Sequence, residues 1–272
     1  MDSAGRPGID IPDRRGRTGL DHEGMGLDRN PNVRVKAVDV TSDGWHVLRR
    51  TTFDYRDRRG NWDRQERETY DRGNGAVILL YDEANRTVLL GRQFRYPTYV
   101  NDHPDGMLIE CAAGLLDGDD PESAIRREAE EELGVTVGAV TPVFESYMSP
   151  GSVTERLHFF AAPYTQSDRR HDGGGLAHEG EDIEVIEITI DDAHAMIRNG
   201  EITDGKTIML IQWALLDGPF RDEGGQVGEL PSLPQQRPNG CSSPSSLRAA
   251  SGRIDEQPHP PRLTRVRPAS DR

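Results

Sequence analysis

The sequence predicts an α/β protein in which a mixed sheet lies between helices and a small antiparallel sheet precedes it. Three observations carry this. Runs rich in β-branched and aliphatic residues recur through the middle of the chain, among them Ala76-Val-Ile-Leu-Leu-Tyr, Thr87-Val-Leu-Leu and Glu184-Val-Ile-Glu-Ile-Thr-Ile. Helical segments with start and stop signals interrupt them, and strands interspersed with helices are the signature of an α/β/α sandwich. Ahead of the first core run, two alternating stretches and a return strand read as a hairpin sheet too small to stand alone.

In chain order, residues 1–32 are rich in Gly, Asp and Arg with little periodicity, so a disordered arm is expected. Residues 33–72 supply the small sheet: Val33–Val40, then Trp45–Tyr55, a turn at Arg56–Asn61, and a return through Arg64 to Tyr70. Such a sheet must pack on the main domain or on a partner subunit. After Gly73-Asn-Gly the main domain spans 73–218. Its strands are expected at Ala76–Tyr81, Thr87–Tyr96, Met107–Ala113, Val137–Tyr147, Leu157–Tyr164 and Glu184–Ile190. Its closing helices are expected at Asp192–Asn199, stopped by Gly200, and at Gly205–Leu216. Residues 219–272 hold nine of the eighteen prolines with Ser and Arg, a composition that cannot bury enough to offset ordering entropy; a disordered tail is expected.

Net charge is −14, and the two ends are nearly balanced, so the acidity belongs to the folded middle. That argues against a nucleic-acid or general membrane binder. An acidic protein with an anionic substrate has to accept it through a metal ion and local cations. The two cysteines, Cys111 and Cys241, are too few for a disulfide framework, and Cys111 in its apolar run reads as a buried thiol. No apolar stretch reaches the roughly 18 residues a membrane span needs, and no signal-type segment opens the chain, so a cytoplasmic location is the default.

The stretch Gly114–Val135 is a glycine loop, a helix dense in carboxylates and a glycine stop. Asp120 is a good N-cap with Pro121 at the first helical position, and Gly134 suits a left-handed C-cap. Ala124, Ile125, Ala129 and Leu133 form the packing stripe. Glu128, Glu131 and Glu132 fall at i, i+3 and i+4 on one face, where each like-charge pair costs roughly 0.2–0.5 kcal/mol. A solvated acidic face would look the same. A cluster of hard oxygen donors is also what Mg²⁺ or Mn²⁺ takes, and a divalent ion relieves the repulsion.

The whole pattern, glycine loop, Arg127-Glu128-x-x-Glu131-Glu132, then Leu133-Gly134-Val135, resembles the Nudix box. It departs upstream, where the first acidic position holds Asp119 and the loop after Gly114 is one residue short. Tyr70-Asp-Arg-Gly-Asn-Gly-Ala, Arg92-Gln-Phe-Arg, Cys111-Ala-Ala-Gly-Leu-Leu-Asp and Tyr147-Met-Ser-Pro-Gly resemble the GDP-mannose pyrophosphatase branch of that superfamily. So do His158-Phe-Phe, Gly173-Gly-Gly, Gly180-Glu-Asp-Ile-Glu-Val and Gly200-Glu-Ile-x-Asp-Gly-Lys. The resemblance covers roughly Val33 to Leu216.

The resemblance implies the Nudix α/β/α fold and hydrolysis of the pyrophosphate of a nucleoside diphosphate sugar, GDP-mannose giving GMP and mannose 1-phosphate. It implies a metal site of Mg²⁺, or Mn²⁺, on the carbonyl of Ala113 and on Glu128, Glu132 and Glu181. Glu131 or Glu181 would accept the proton of the attacking water. Glu181 lies in a Gly-rich loop suited to a lid, with Glu179 and Asp182 as alternatives for its role. Arg95 would contact the pyrophosphate, with Gly114, Leu115, Glu132, Glu155, Gly180 and Lys206 also at the substrate. Arg67 and Glu68, with Trp45 from a partner subunit, would line the nucleotide pocket of a homodimer paired through the N-terminal sheet. Taken singly, Arg67 fits a surface charge network, Trp45 a strand anchor and Glu155 a strand end. The competing functions are an ADP-ribose pyrophosphatase and a non-catalytic nucleotide-sugar sensor.

Overall fold

The computed structural model describes residues 29–116 and 118–221. The arm expected at 1–32 lies outside these residues as far as 28, and the tail expected at 219–272 lies outside them from 222 onward.

The N-terminal sheet is a three-stranded antiparallel meander of β1 (Val33–Asp43), β2 (Val47–Arg56) and β3 (Trp62–Asp71). Trp45, expected to open the second strand, sits in the β1–β2 turn and is 83% exposed instead of anchoring a strand. One end of the sheet is welded to the rest of the chain. There Val38 and Val47 are buried, and Arg49, 1% exposed, places Nη1 2.8 Å from Asp71 Oδ2. Tyr70 N–H donates to Ser152 O at 2.8 Å, and Thr154 N–H returns to Tyr70 O at 3.0 Å.

The larger sheet has the order β10–β5–β4–β9–β8, with β6 added on β5 and β7 on β4. It comprises β4 (Gly75–Asp82), β5 (Thr87–Phe94), β6 (Met107–Glu110), β7 (Ala112–Leu115), β8 (Thr141–Tyr147), β9 (Arg156–Pro163) and β10 (Glu184–Thr189). It is mixed because β4 and β9 run parallel while the other pairs are antiparallel. The period of two in β4 explains its two covered faces. Ala76, Ile78 and Leu80 pack with Ile125, Ala129 and Leu133 of α2 (Pro121–Leu133). Val77 and Leu79 face the opposite layer, built by α3 (Ile190–Asn199) and α4 (Gly205–Leu216) through Ala193, Leu210, Ile211 and Ala214. Full burial of an aliphatic side chain contributes roughly 1.5–3 kcal/mol, so these two layers hold the sandwich together. The chain therefore has the α/β/α architecture that the strand and helix pattern predicts.

The single strand expected at Met107–Ala113 is two. At Cys111 the chain leaves β5 and crosses to β4, so Glu110 pairs with Gly91 while Ala113 pairs with Val77. The Cys111 N–H, belonging to neither ladder, donates to Thr207 Oγ1 at 2.8 Å. Its thiol is free and buried, and burial pushes it up to about 12. A one-turn helix, α1 (Tyr96–Tyr99), follows β5 where strand had been expected to run to Tyr96. Among the described residues no helix is long and apolar enough to cross a membrane.

Candidate active site

Helix α2 begins and ends as its sequence requires. Asp120 accepts the N–H of Ser123 at 3.1 Å, and Gly134 closes the helix at φ 72°. Arg127 Nη1 pairs with Asp119 Oδ2 at 2.5 Å, so the acid upstream of the helix partners its arginine; Nη2 lies 3.5 Å from Glu128 Oε1. Glu132 is 3% exposed, and its Oε2 accepts the Ala113 N–H at 3.1 Å. Glu128 lies against Gly114, where a Cβ would run into the Glu128 carboxylate; only glycine lets β7 and the helix meet there. Burial, and after it the charge of Glu128, pushes the Glu132 carboxyl up to about 8, with Glu181 adding to the rise and the Ala113 N–H and Arg95 opposing it.

The glycines of the following loop fasten its backbone to the end of α2. Gly174 N–H donates to Glu132 O at 2.9 Å and Gly175 N–H to Glu131 O at 3.0 Å, so the loop satisfies carbonyls that the end of α2 leaves open. Gly173 has φ 74° and would strike Glu132 O with a Cβ; Gly175, at φ 76°, would strike Glu181. Glu181 Oε2 accepts the Leu176 N–H at 2.8 Å. The loop thereby carries Glu181 toward Glu132 while its backbone stays fastened to the helix. Among the described residues no three carboxylates stand close enough to form a finished metal cage. The donor set nevertheless suits a divalent ion: hard oxygens, the buried Glu132 carboxylate among them, whose mutual repulsion a cation would relieve.

Beside this helix lies a cleft of about 510 Å³. Its walls are the β1–β2 turn with Trp45, the end of β5 with Arg95, the β6–β7 segment through Glu110 and Ala113 to Leu115, the residue before β9, Glu155, and the start of α4 with Lys206. Glu110, 4% exposed, accepts from Arg95 Nε at 2.7 Å and from Lys206 Nζ at 2.5 Å. Lys206 also donates to Asp204 at 2.8 Å. Glu155 is paired with Arg72 at 3.3 Å, and burial raises its carboxyl above the usual range. A strand edge with a glycine, the cations Arg72, Arg95 and Lys206 and a neighbouring carboxylate helix can receive a phosphorylated ligand.

Residues 71–210 match the NUDIX domain family, and residues 32–70 match the GDP-mannose pyrophosphatase NudK N-terminal domain. The chain belongs to the Nudix hydrolases. It is 56% identical over 188 residues to a GDP-mannose pyrophosphatase of Pectobacterium atrosepticum, an alignment covering 69% of this chain and 96% of the relative. Proteins of the same name from Yersinia enterocolitica (55% over 189 residues; 69% and 98%) and Salmonella arizonae (52% over 182 residues; 67% and 94%) are similar as well. Nudix hydrolases generally use divalent metal ions, in keeping with the donor set on α2.

Of the residues singled out from sequence, this Nudix hydrolase brings Trp45, Arg95, Ala113, Gly114, Leu115, Glu155 and Lys206 to one cleft. Glu128 and Glu132 stand beside it through Gly114 and Ala113. Gly180 closes a short 3-10 turn at φ 79° just before Glu181. Glu131 faces a second concavity with Arg127, His171 and Leu176. Arg67 and Glu68 are not among the cleft residues; they pair across β2 with Thr51 and Arg50, and Arg67 bonds Glu66 O and Gln65. The sequence reading missed Glu110, Asp204 and Arg72. Glu110 had a signal, since a lone carboxylate inside Met107-Leu-Ile-Glu-Cys-Ala-Ala must find partners once buried.

Proposed function

We propose that this Nudix hydrolase cleaves the pyrophosphate of GDP-mannose to GMP and mannose 1-phosphate, with Mg²⁺, or Mn²⁺ in its place. The observation that carries the reading is the cleft, which sets the Arg95 and Lys206 cations facing the Ala113–Leu115 edge beside buried Glu132. Relatives named for this reaction are identical to this chain at more than half of the aligned positions.

The carbonyl of Ala113 and the carboxylates of Glu128, Glu132 and Glu181 would hold the metal. Bound there, it would supply charge neutralisation at the pyrophosphate and acidify a water molecule. Arg95 and Lys206 hold the phosphates in place, and Gly114, which has no side chain, lets them approach the backbone. The proton of the attacking water passes to Glu181 in preference to Glu131, because the Glu181 charge bears on Glu132 while Glu131 faces the second concavity. Trp45 and Glu155, with Gly180 from the loop, contact the nucleotide sugar. Arg67 and Glu68 reach the nucleotide only across a homodimer paired through the N-terminal sheet, and the chain acts in the cytoplasm.

The test is hydrolysis of GDP-mannose and ADP-ribose side by side, each with and without Mg²⁺. Faster, Mg²⁺-dependent release of GMP and mannose 1-phosphate is the expected result. Faster turnover of ADP-ribose would overturn the substrate, and silence on both would overturn the activity.

A further inference from the structure

Glu110 is the only carboxylate on β6, and it is spent on two of the cleft's cations, Arg95 and Lys206. Arg95 comes from the end of β5 and Lys206 from the first turn of α4, two elements with no hydrogen bond between these side chains. One carboxyl group joins them, taking Arg95 on Oε2 and Lys206 on Oε1. The arrangement is braced from behind. Asp204 holds Lys206 and also accepts from the Thr207 N–H and hydroxyl at 2.9 and 2.7 Å, and the Thr207 hydroxyl takes the Cys111 N–H next to Glu110.

We propose that Glu110 is a positioning residue, whose single buried carboxylate sets Arg95 and Lys206 side by side as a paired cationic seat for the pyrophosphate. A buried ion cluster serving stability alone could be replaced by apolar residues at little cost. Here both cations open onto the cleft, and the carboxylate between them removes the repulsion that would drive their heads apart. The proposal rests on the assignment of this cleft to a nucleoside diphosphate sugar.

The charge state of the pair depends on the same carboxylate. Burial alone would lower Lys206, and the charges of Glu110 and Asp204 overcome that and hold it above its ordinary range. The other titratable groups bearing on it are Cys111 at the strand switch and Glu155 across the cleft. Without the Glu110 charge only Asp204 and the more distant Glu155 keep Lys206 protonated, so Lys206 loses its proton at a lower pH while Arg95 stays charged.

The experiment compares Glu110→Gln and Glu110→Asp with the wild type, measuring KM for GDP-mannose and the inhibition constants of inorganic pyrophosphate and of guanosine across pH. The expected result for Glu110→Gln is pyrophosphate inhibition weakened by about tenfold or more, as for truncation of a buried charge pair, with KM rising alike and guanosine unchanged. The weakening begins at lower pH than in the wild type, and Glu110→Asp, which keeps the charge but shortens the reach, falls between the two. Should Glu110→Gln fail to fold, Glu110→Asp carries the same comparison. Pyrophosphate inhibition within twofold of wild type, or an equal loss for guanosine, would overturn the proposal. A wild type that ignores GDP-mannose would overturn the substrate reading instead, and the ratio of pyrophosphate dissociation constants, measured by direct calorimetric binding to wild type and Glu110→Gln, would then decide the role of Glu110.

Discussion

Glu132 is buried among like charges, and that has a consequence for stability as well as for chemistry. Its carboxyl titrates near 8 in the folded chain against an ordinary 4.5. Between those values the unfolded chain has released a proton that the folded chain still binds. Stability from this group is therefore fully present below about 4.5 and falls as pH rises toward 8. In metal-free protein the melting temperature should fall across that window, Glu132→Gln should flatten the fall, and Mg²⁺ should restore more at the alkaline end. The same variant should remain folded while losing Mg²⁺-dependent turnover. Thermal melts of both proteins across pH, with and without the ion, check each part. A wild-type rate in Glu132→Gln would remove this residue from the site.

At the scale of elements, α2 was the most legible part of the chain because its signals are local. Asp120, Pro121 and Gly134 mark its ends within a single stretch, and the observed caps sit on those residues. Replacing Asp120 by Ala should cost about 1 kcal/mol, the usual worth of an N-cap side chain. Gly134→Ala should cost more, because the left-handed backbone alone carries roughly 1–2 kcal/mol and the new Cβ would meet His171 O. Denaturant melts of the two variants rank them, and the reverse order would show that the glycine loop yields easily. Other elements were less legible where their partners are distant in sequence. The strand break at Cys111 depends on which neighbour each half pairs with, and Glu110 shows its role only when β5 and α4 bring Arg95 and Lys206 to it. The bonds of Gly174 and Gly175 to the end of α2 were likewise invisible in sequence, because the helix carbonyls they satisfy lie about forty residues upstream.

Across the whole molecule, the small sheet contributes to the cleft through Trp45 and His46, so its seating on the main domain has to be firm. The firm point is Asp71 at the end of β3, which accepts from the Thr154 hydroxyl outside the sheet and pairs with Arg49 of β2 at 2.8 Å, their side chains 8% and 1% exposed. The sequence reading did not single out Arg49, although strand alternation puts it on the same face as Val47, and nothing local names Asp71, which also accepts from Gly73 N–H and the Thr154 hydroxyl. Removing one partner strands the other charge in the interior. Arg49→Met should therefore cost roughly 3–5 kcal/mol, far beyond what a surface ion pair loses. Adding Asp71→Asn removes the stranded charge while keeping an acceptor for Gly73 and Thr154, so the double variant should recover much of that loss. The weld also positions Trp45, so Arg49→Met should raise KM for the nucleotide sugar and the double variant should bring it back toward wild type. Melts and KM values on the four proteins of this cycle decide the matter. If the double variant melts no higher than Arg49→Met, the buried charge is not what the pair guards against, and the arginine holds the sheet through its other contacts.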